Sequence, residues 1–280
     1  MRASPVIFLT GASGYLGRYV IRELQARGVP FTAVGRSRPT QENHLRVPFL
    51  PLDLSEPEAV AAMAEVLRAR LDRHAVVLHA GALSSLAECE KDPDHTRRVN
   101  VESSALFADA VPTLLVSTDL VFGGSGAPPY SIEDATAPMS LYGESKVEAE
   151  QSVLSQRGAV ARIPLLFGPS ADGRRGATDH LRNAEEAHLF SNEFRTPLHV
   201  EDAARGLVEL CLDFEGGSKH HLTYGERVSR LGLGERFLEA SDCSTELLGV
   251  ECQDADRPRD VSLVPTWSPG RSLDESLQSC

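Results

Sequence analysis

Val6-Ile7-Phe8-Leu9-Thr10-Gly11-Ala12-Ser13-Gly14-Tyr15-Leu16-Gly17 is the stretch that decides the fold. Its first five residues are β-branched or apolar, the composition of a strand buried on both faces. Glycines 11, 14 and 17 then stand three apart, where the period changes from strand to helix. Gly11 permits a tight turn, Gly14 lets an anion approach the backbone, and Gly17 lets the helix lie close to the sheet. The N–H groups at the start of that helix point at the anion. Such a unit opens a parallel sheet whose helices cover both faces.

Working outward, the same alternation recurs. Strands are expected near Val6–Thr10, Phe31–Gly35, Val47–Leu52, Val76–His79, Leu114–Ser117 and Val160–Ile163, and helices near Gly14–Arg27, Pro57–Asp72, Pro93–Ala110 and Leu141–Gln156. The fold class is therefore α/β, a Rossmann-type doubly wound parallel sheet. Glycines and prolines between Phe122 and Pro138 mark a long loop after the fifth strand, where an open sheet presents its ligand face. From Gly168 the strict alternation stops, so a domain over residues 1–167 is followed by a smaller lobe over 168–280. Within it, Val200–Phe214, opened by Glu201 and Asp202, and Val228–Ala240 read as helices, the first packing back on the sheet domain. The tail after Pro265, with four serines and little apolar content, reads as a surface strap or a frayed end.

Composition narrows the function. With 280 residues, 41% hydrophobic and 24% charged, the chain is globular rather than disordered, collagen-like or coiled-coil. Lys plus Arg of 28 against Asp plus Glu of 40 gives a charge of −12, which repels phosphate backbones and anionic lipid, so neither nucleic acid nor membrane is an expected partner. No apolar run approaches the roughly 18 residues of a spanning helix, and no signal peptide or anchor is expected. Cys89, Cys211, Cys243, Cys252 and Cys280 are odd in number and lack CxxC spacing, which suits reduced thiols in a cytoplasm. His199, His220 and His221 lack a matching ligand set, so no metal is expected.

The glycine turn, directly after the first strand, points to a dinucleotide. An acid about 20 residues beyond the glycines would bind ribose hydroxyls, whereas an arginine there meets a 2′-phosphate. The chain carries Gly35-Arg36-Ser37-Arg38, so Arg36 with Ser37, and Arg38 beside them, favour NADP(H), with NAD(H) as the alternative cofactor. The competing reading is that these are solvated arginines after a strand. Asp53 is placed to accept from the adenine amino group or to cap the next helix, for which Ser55 is the better candidate. His79-Ala80-Gly81-Ala82 supplies small residues for a cofactor wall.

Tyr142 and Lys146 stand four apart on an expected helix and share a face, 24 residues after Thr118 in the case of Tyr142. A free phenol titrates near 10, and an ammonium within about 4–6 Å favours the phenolate. Lys146 thus tunes Tyr142 to protonate a carbonyl oxygen as hydride arrives from the nicotinamide, while Thr118 holds that oxygen and Lys146 binds the nicotinamide ribose. A lone YxxxK is usually an exposed pair; the glycine turn and Thr118 reverse that judgement.

Gly11-x-x-Gly14-x-x-Gly17, Asp53-Leu54, His79-Ala80-Gly81-Ala82, Val99-Asn100, Ser117-Thr118-Asp119-x-Val121-Phe122 and Tyr142-x-x-x-Lys146 together resemble an extended short-chain dehydrogenase/reductase, over nearly the whole chain. Within that superfamily the Ser-Thr-Asp-x-Val-Phe string, the modest length and Arg257-Pro258-Arg259-Asp260-x-x-Leu263 are most similar to the dTDP-4-dehydrorhamnose reductase type. The resemblance implies reduction of a keto group on a nucleotide-activated sugar, with Thr118, Tyr142 and Lys146 as catalytic residues. It implies a cofactor site of Gly11, Ser13, Gly14, Tyr15, Leu16, Gly17, Arg36, Ser37, Asp53, Leu54, Ala80, Gly81, Ala82, Tyr142 and Lys146. Ser84, Phe122, Arg195 and Arg257 are the implied substrate residues, and a homodimer the implied assembly.

Alternatives stay open at this level. Asn100 holds the active-site backbone or a water by resemblance, or is a satisfied polar residue in a helix. Arg174, Arg175, Arg195 and Arg257 are candidates to grip a diphosphate, Arg195 and Arg257 the better two. Trp267 reads as packing on the tail. Arg195-x-Pro197-Leu198-His199-Val200-Glu201-Asp202 is similar to nucleotide-sugar epimerases and dehydratases, which recycle a bound nicotinamide; Leu120 stands where a dehydratase would add a second acid. A non-catalytic NADP-binding regulatory subunit is the reading from another class.

Overall fold

The structure is a computed structural model that describes residues 5–39, 47–70, 75–124, 126–254 and 256–280. Its elements begin with β1 (Val6–Thr10), α1 (Tyr15–Ala26), β2 (Phe31–Gly35), β3 (Phe49–Pro51), α2 (Pro57–Arg70) and β4 (Ala75–His79). There follow α3 (Leu86–Lys91), α4 (Pro93–Arg97), a π-helical turn (Arg98–Glu102), α5 (Ser103–Ala110), β5 (Thr113–Thr118), α6 (Leu141–Ser155), β6 (Ala159–Ile163) and β7 (Leu166–Phe167). The chain ends through β8 (Glu186–Phe190), β9 (Phe194–Arg195), β10 (Leu198–His199), α7 (Val200–Leu212), β11 (Lys219–His221), β12 (Val228–Ser229), α8 (Arg230–Ala240), β13 (Glu246–Val250) and α9 (Leu273–Leu277).

Seven strands form one sheet in the order β11-β6-β5-β4-β1-β2-β3, and the pairings of β3, β2, β1, β4 and β5 are parallel. The order reverses between β1 and β4, the switch point at which α/β sheets bind ligands beyond their strand ends. This is the α/β doubly wound fold that the alternation predicts. β4 and β5 are buried along their whole length, which explains why they read as continuous apolar runs rather than alternating ones.

Two compact units divide the chain: Met1–Ser117 with Leu141–Ala161 and Leu207–Lys219, and Thr118–Ser140 with Arg162–Gly206 and His220–Cys280. The core of the first is built from Phe8, Val34, Leu52, Val60, Leu67, Val77 and Phe107 among others. In its final segment Glu209 accepts from Arg27 at 2.9 Å, tying α7 to the end of α1. The second unit gathers Phe167, Leu181, Leu189, Phe237, Leu273 and Leu277 into a core of its own, with β8 and β13 paired in parallel register.

Several expectations are corrected. The helix expected over Pro93–Ala110 is interrupted by the π-helical turn at Arg98–Glu102, and α3 precedes it unannounced. The C-terminal end expected for α2, at Asp72, lies outside the described residues. α8 starts at Arg230 rather than Val228, because Ser229 caps it through the Gly232 N–H and Val228–Ser229 pairs with β9. The tail is neither strap nor frayed end: Leu273 and Leu277 are buried, and Ser272 and Glu275 close a capping box on α9. Trp267 does pack on the second unit, lying where a methyl on Gly206 would come within 3.1 Å, with Arg205 stacked over its ring.

Candidate active site

The first unit holds the glycine turn. Gly11 has φ +69°, and a methyl there would meet the Ala80 carbonyl oxygen at 2.6 Å and the Gly81 nitrogen at 2.7 Å. A methyl on Gly17 would stand 2.2 Å from the Gly11 carbonyl oxygen. Both glycines are thus demanded by backbone contact inside the fold. Gly14 differs: a methyl there would meet only the Gly11 oxygen, at 3.1 Å, while its own N–H closes the turn on that oxygen at 2.9 Å. α1 has no side-chain cap and no acidic residue in its first turn, so its leading N–H groups and positive dipole end have no carboxylate of that helix on them. The arrangement fits an anionic pyrophosphate. Ser13 is exposed beside it, and Tyr15 and Leu16 are half-buried.

Arg36 and Ser37 are exposed just past β2. Arg38 is committed elsewhere, donating to the Val47 carbonyl at 2.5 Å and lying over the Phe49 ring. Asp53 Oδ1 accepts from both the Ser55 N–H (2.9 Å) and the Ser55 hydroxyl (2.8 Å). That backbone bond, with the nearby Arg36 charge among the lesser causes, holds its carboxyl below the usual range. Neither residue caps α2 as expected, because that helix starts at Pro57 and its first turn closes on the Glu56 carbonyl; Asp53 and Ser55 satisfy each other instead. Leu54 packs on Gly81, its Cδ1 2.6 Å from where a methyl would be.

Beyond β4 the wall is Ala80, Gly81 and Ala82, the last exposed together with Ser84. His79, 1% exposed, locks it from beneath. Ser103 spends its hydrogen on the Val99 carbonyl (2.6 Å), so His79 Nε2–H donates to Ser103 Oγ (3.1 Å) and Nδ1 accepts from Thr10 (3.0 Å). Thr10 Oγ1 in turn accepts the Gly81 N–H at 3.0 Å. Burial and the positive charge of Lys146 push His79 down to about 3, so it stays neutral.

Asn100 sits in the π-helical turn and is satisfied in a particular way. Its Oδ1 accepts the Leu83 N–H (2.8 Å), and its Nδ2 donates to the Leu83 carbonyl (3.0 Å) and to Ser145 Oγ (2.9 Å). Ser145 then donates to the Tyr142 carbonyl at 2.7 Å. The wall and the start of α6 are therefore clamped by one amide, which joins both readings of Asn100.

Tyr142, half-buried, and Lys146, 2% exposed, lie one turn apart on α6. Burial lowers Lys146 to about 8, opposed by the charge of Glu150 one turn further on. Glu150 is 3% exposed and accepts from Ser117 at 2.5 Å. Glu150, Ser117 and Ser145 thus surround the pair without having been given a role by the motifs, although Ser117 stands in one of them and the spacing of four between Lys146 and Glu150 is visible in the sequence.

In the second unit, Thr118 donates to Asp119 Oδ1 (3.1 Å) and accepts the Leu120 N–H (3.2 Å). Burial raises Asp119 to about 6, against the pull of Arg195, whose Nε lies 3.6 Å from Oδ2. Arg195 and Arg257 meet on one carboxylate, Glu193, which is 2% exposed; the Arg195 contact is 3.3 Å. No motif announced Glu193. Phe122 has no exposed surface: its ring stacks on Tyr130 at 4.2 Å and 7°, under the guanidinium of Arg162, and meets His221 edge-on. It supports the loop from within. Arg174 and Arg175 are exposed on a turn held by the buried Asp179 carboxylate, which accepts the Gly176 N–H at 2.7 Å.

Among the described residues no group of three or more His, Cys, Asp or Glu is placed to hold a metal, and no helix is long and apolar enough to cross a membrane. All five cysteines are free thiols, three of them buried.

Comparison with known proteins agrees with this architecture. Methionine adenosyltransferase 2 subunit beta of Rattus norvegicus is 31% identical over 212 residues, 71% of this chain and 59% of that protein. The chain thus spans about three fifths of the length of that relative. A dTDP-4-dehydrorhamnose reductase of Streptomyces griseus is 34% identical over 173 residues, 59% of this chain and 51% of that one. The crystal structure of dTDP-4-dehydrorhamnose reductase from Bacillus anthracis, in complex with NADP, superposes with a TM-score of 0.80 at 19% identity, covering 98% of both chains. The family described as RmlD substrate binding domain matches residues 5–266, nearly the whole length, and this chain belongs to it.

Proposed function

We propose that the chain is an NADP(H)-dependent reductase of a keto group on a nucleotide-activated sugar, with Tyr142 as the proton donor. The observation that carries this reading is Lys146, a lysine 2% exposed one helical turn from Tyr142. Lysine is almost never fully buried unless its charge is used or paired, and a cation beside a phenol lowers the cost of its phenolate. When bound, the nicotinamide supplies the hydride. Tyr142 donates its proton to the carbonyl oxygen, Thr118 holds that oxygen, and Lys146 carries the compensating charge and binds the ribose hydroxyls.

In this reading residues 1–167 hold the cofactor, and residues 168–280, together with Ser84 and Thr118, the substrate. The turn of Gly11, Ser13, Gly14, Tyr15, Leu16 and Gly17 receives the pyrophosphate, and Arg36 with Ser37 takes the 2′-phosphate. Asp53 keeps Oδ2 for the adenine amino group, while Leu54, Ala80, Gly81 and Ala82 line the wall. Ser84, Arg195 and Arg257 face the sugar nucleotide. Phe122, buried on Tyr130, acts by fixing the loop rather than by touching substrate. NADP in the complex of the Bacillus anthracis structure supports a nicotinamide cofactor, and the choice of NADP(H) rests on Arg36 and Ser37.

The test is consumption of NADPH and NADH by the purified protein with a 4-keto-6-deoxy nucleotide sugar, beside Tyr142→Phe. Loss of about 10²–10⁴-fold in turnover with cofactor binding retained is expected of the variant. A wild type that binds NADPH tightly and consumes none with any keto sugar refutes the reading. That outcome favours a second one, a non-catalytic NADP-binding subunit, to which the subunit name of the Rattus norvegicus relative lends support.

A further inference from the structure

Tyr142, Lys146 and Glu150 form a column along α6, one turn between successive members, running from a half-buried phenol to two buried charges. The cation in the middle is poorly provided for by its surroundings. Facing it from β4 is His79, which is neutral and wired to Thr10 and Ser103, so it supplies no negative charge. From β5, Ser117 contributes a hydroxyl whose hydrogen goes to Glu150. Along α6 itself, Glu150 is the group whose charge acts to keep Lys146 protonated, and burial acts against it. A buried ammonium without a counter-charge loses its proton rather than pay the desolvation cost.

We propose that Glu150, held by Ser117, is the positioning residue that keeps Lys146 charged inside the fold, and through Lys146 keeps Tyr142 a usable proton donor. This rests on the reading of Tyr142 as that donor. The geometry assigns the three residues an order along α6: the half-buried phenol first, the buried cation between, the buried acid last. Glu150 touches neither substrate nor cofactor in this scheme and acts only through the lysine.

The experiment is an ultraviolet titration of the Tyr142 phenolate, taken as the difference between each protein and its Tyr142→Phe counterpart, so that it needs no turnover. In Glu150→Gln the Tyr142 titration should move upward by about one pH unit or more, the size of effect a close opposite charge exerts. The activity profile should shift the other way, toward acid, where Lys146 regains its proton. A folded Glu150→Gln with an unmoved Tyr142 titration overturns the proposal. Should that variant not fold, Glu150→Asp retains the charge one methylene further away; a smaller upward movement supports the proposal, and none overturns it. A moved titration in a protein that reduces no keto sugar leaves the column standing and refutes only the reductase; an unmoved one in an active enzyme refutes only the column.

Discussion

Gly17→Ala isolates the approach of α1 to the glycine turn. The added methyl would stand 2.2 Å from the Gly11 carbonyl oxygen, 2.8 Å from the Ala12 Cα and 2.9 Å from the Gly11 carbonyl carbon, all of them backbone atoms that cannot swing aside. Ordinary contact begins at 3.4 Å, so the helix start must retreat by 1.2 Å, the difference of the two distances. Overpacking of this kind costs about 1–3 kcal/mol, and the better helix propensity of alanine returns about 1 kcal/mol. The free protein therefore loses little, on the order of 0–2 kcal/mol. The cofactor should lose far more, because the leading N–H groups that would hold its pyrophosphate retreat with the helix, and a lost hydrogen bond to a charged group, about 1.5–3 kcal/mol, weakens binding on the order of 10²-fold. Thermal unfolding with and without NADPH separates the two. At a concentration about 100 times the wild-type Kd, binding adds about 2.7 kcal/mol, whereas a hundredfold weaker variant gains only about 0.4 kcal/mol. At about 2–4 °C per kcal/mol for a chain of this class, the cofactor raises the wild-type Tm by about 5–10 °C and the variant's by about 1 °C. Gly14→Ala is the control, since its methyl meets only one oxygen at 3.1 Å: its unliganded Tm should match wild type while the NADPH shift is lost. A Gly17→Ala protein with the full NADPH shift would refute the argument that close packing of α1 aims the turn.

Three further outcomes are expected. Arg36→Ala should raise the KM for NADPH by about tenfold, the worth of one charge-assisted contact, and leave that for NADH within twofold; equal effects on both cofactors would remove the 2′-phosphate role. Phe122→Ala should cost about 3–5 kcal/mol in urea unfolding, because the ring is fully buried on Tyr130. A cost under 1 kcal/mol would show that the loop does not depend on it. His79 has a folded pKa of about 3 against an ordinary 6.5, so below pH 6.5 the unfolded chain takes up a proton that the folded one refuses, and stability falls as pH falls. Between pH 8 and pH 5 this contributes about 2 kcal/mol of loss, which His79→Gln should abolish; an unchanged slope in the variant would place the acid sensitivity elsewhere.

Much of this was legible in the chain as written, and the boundary has a physical cause. Strand β1 shows as a continuous apolar run, and the glycine turn and the face shared by Tyr142 and Lys146 as spacings of three and four residues, all of which the sequence carries by itself. It also carries the alternation that makes the sheet doubly wound. By contrast, β11 is a polar three-residue strand whose place beside β6 comes from hydrogen bonds to a distant segment, and no local period encodes it. The π-helical turn at Asn100 likewise arises where an amide must reach Leu83 and Ser145 at once. Only tertiary structure brought Glu193 under Arg195 and Arg257, turned Phe122 inward, and buried the serine-rich tail through Leu273 and Leu277. Short-range spacing fixes which side chains share a helix face or a turn; which charges are desolvated together is decided by contacts between segments tens of residues apart, and it is desolvation that gives Lys146 and Asp119 their chemistry.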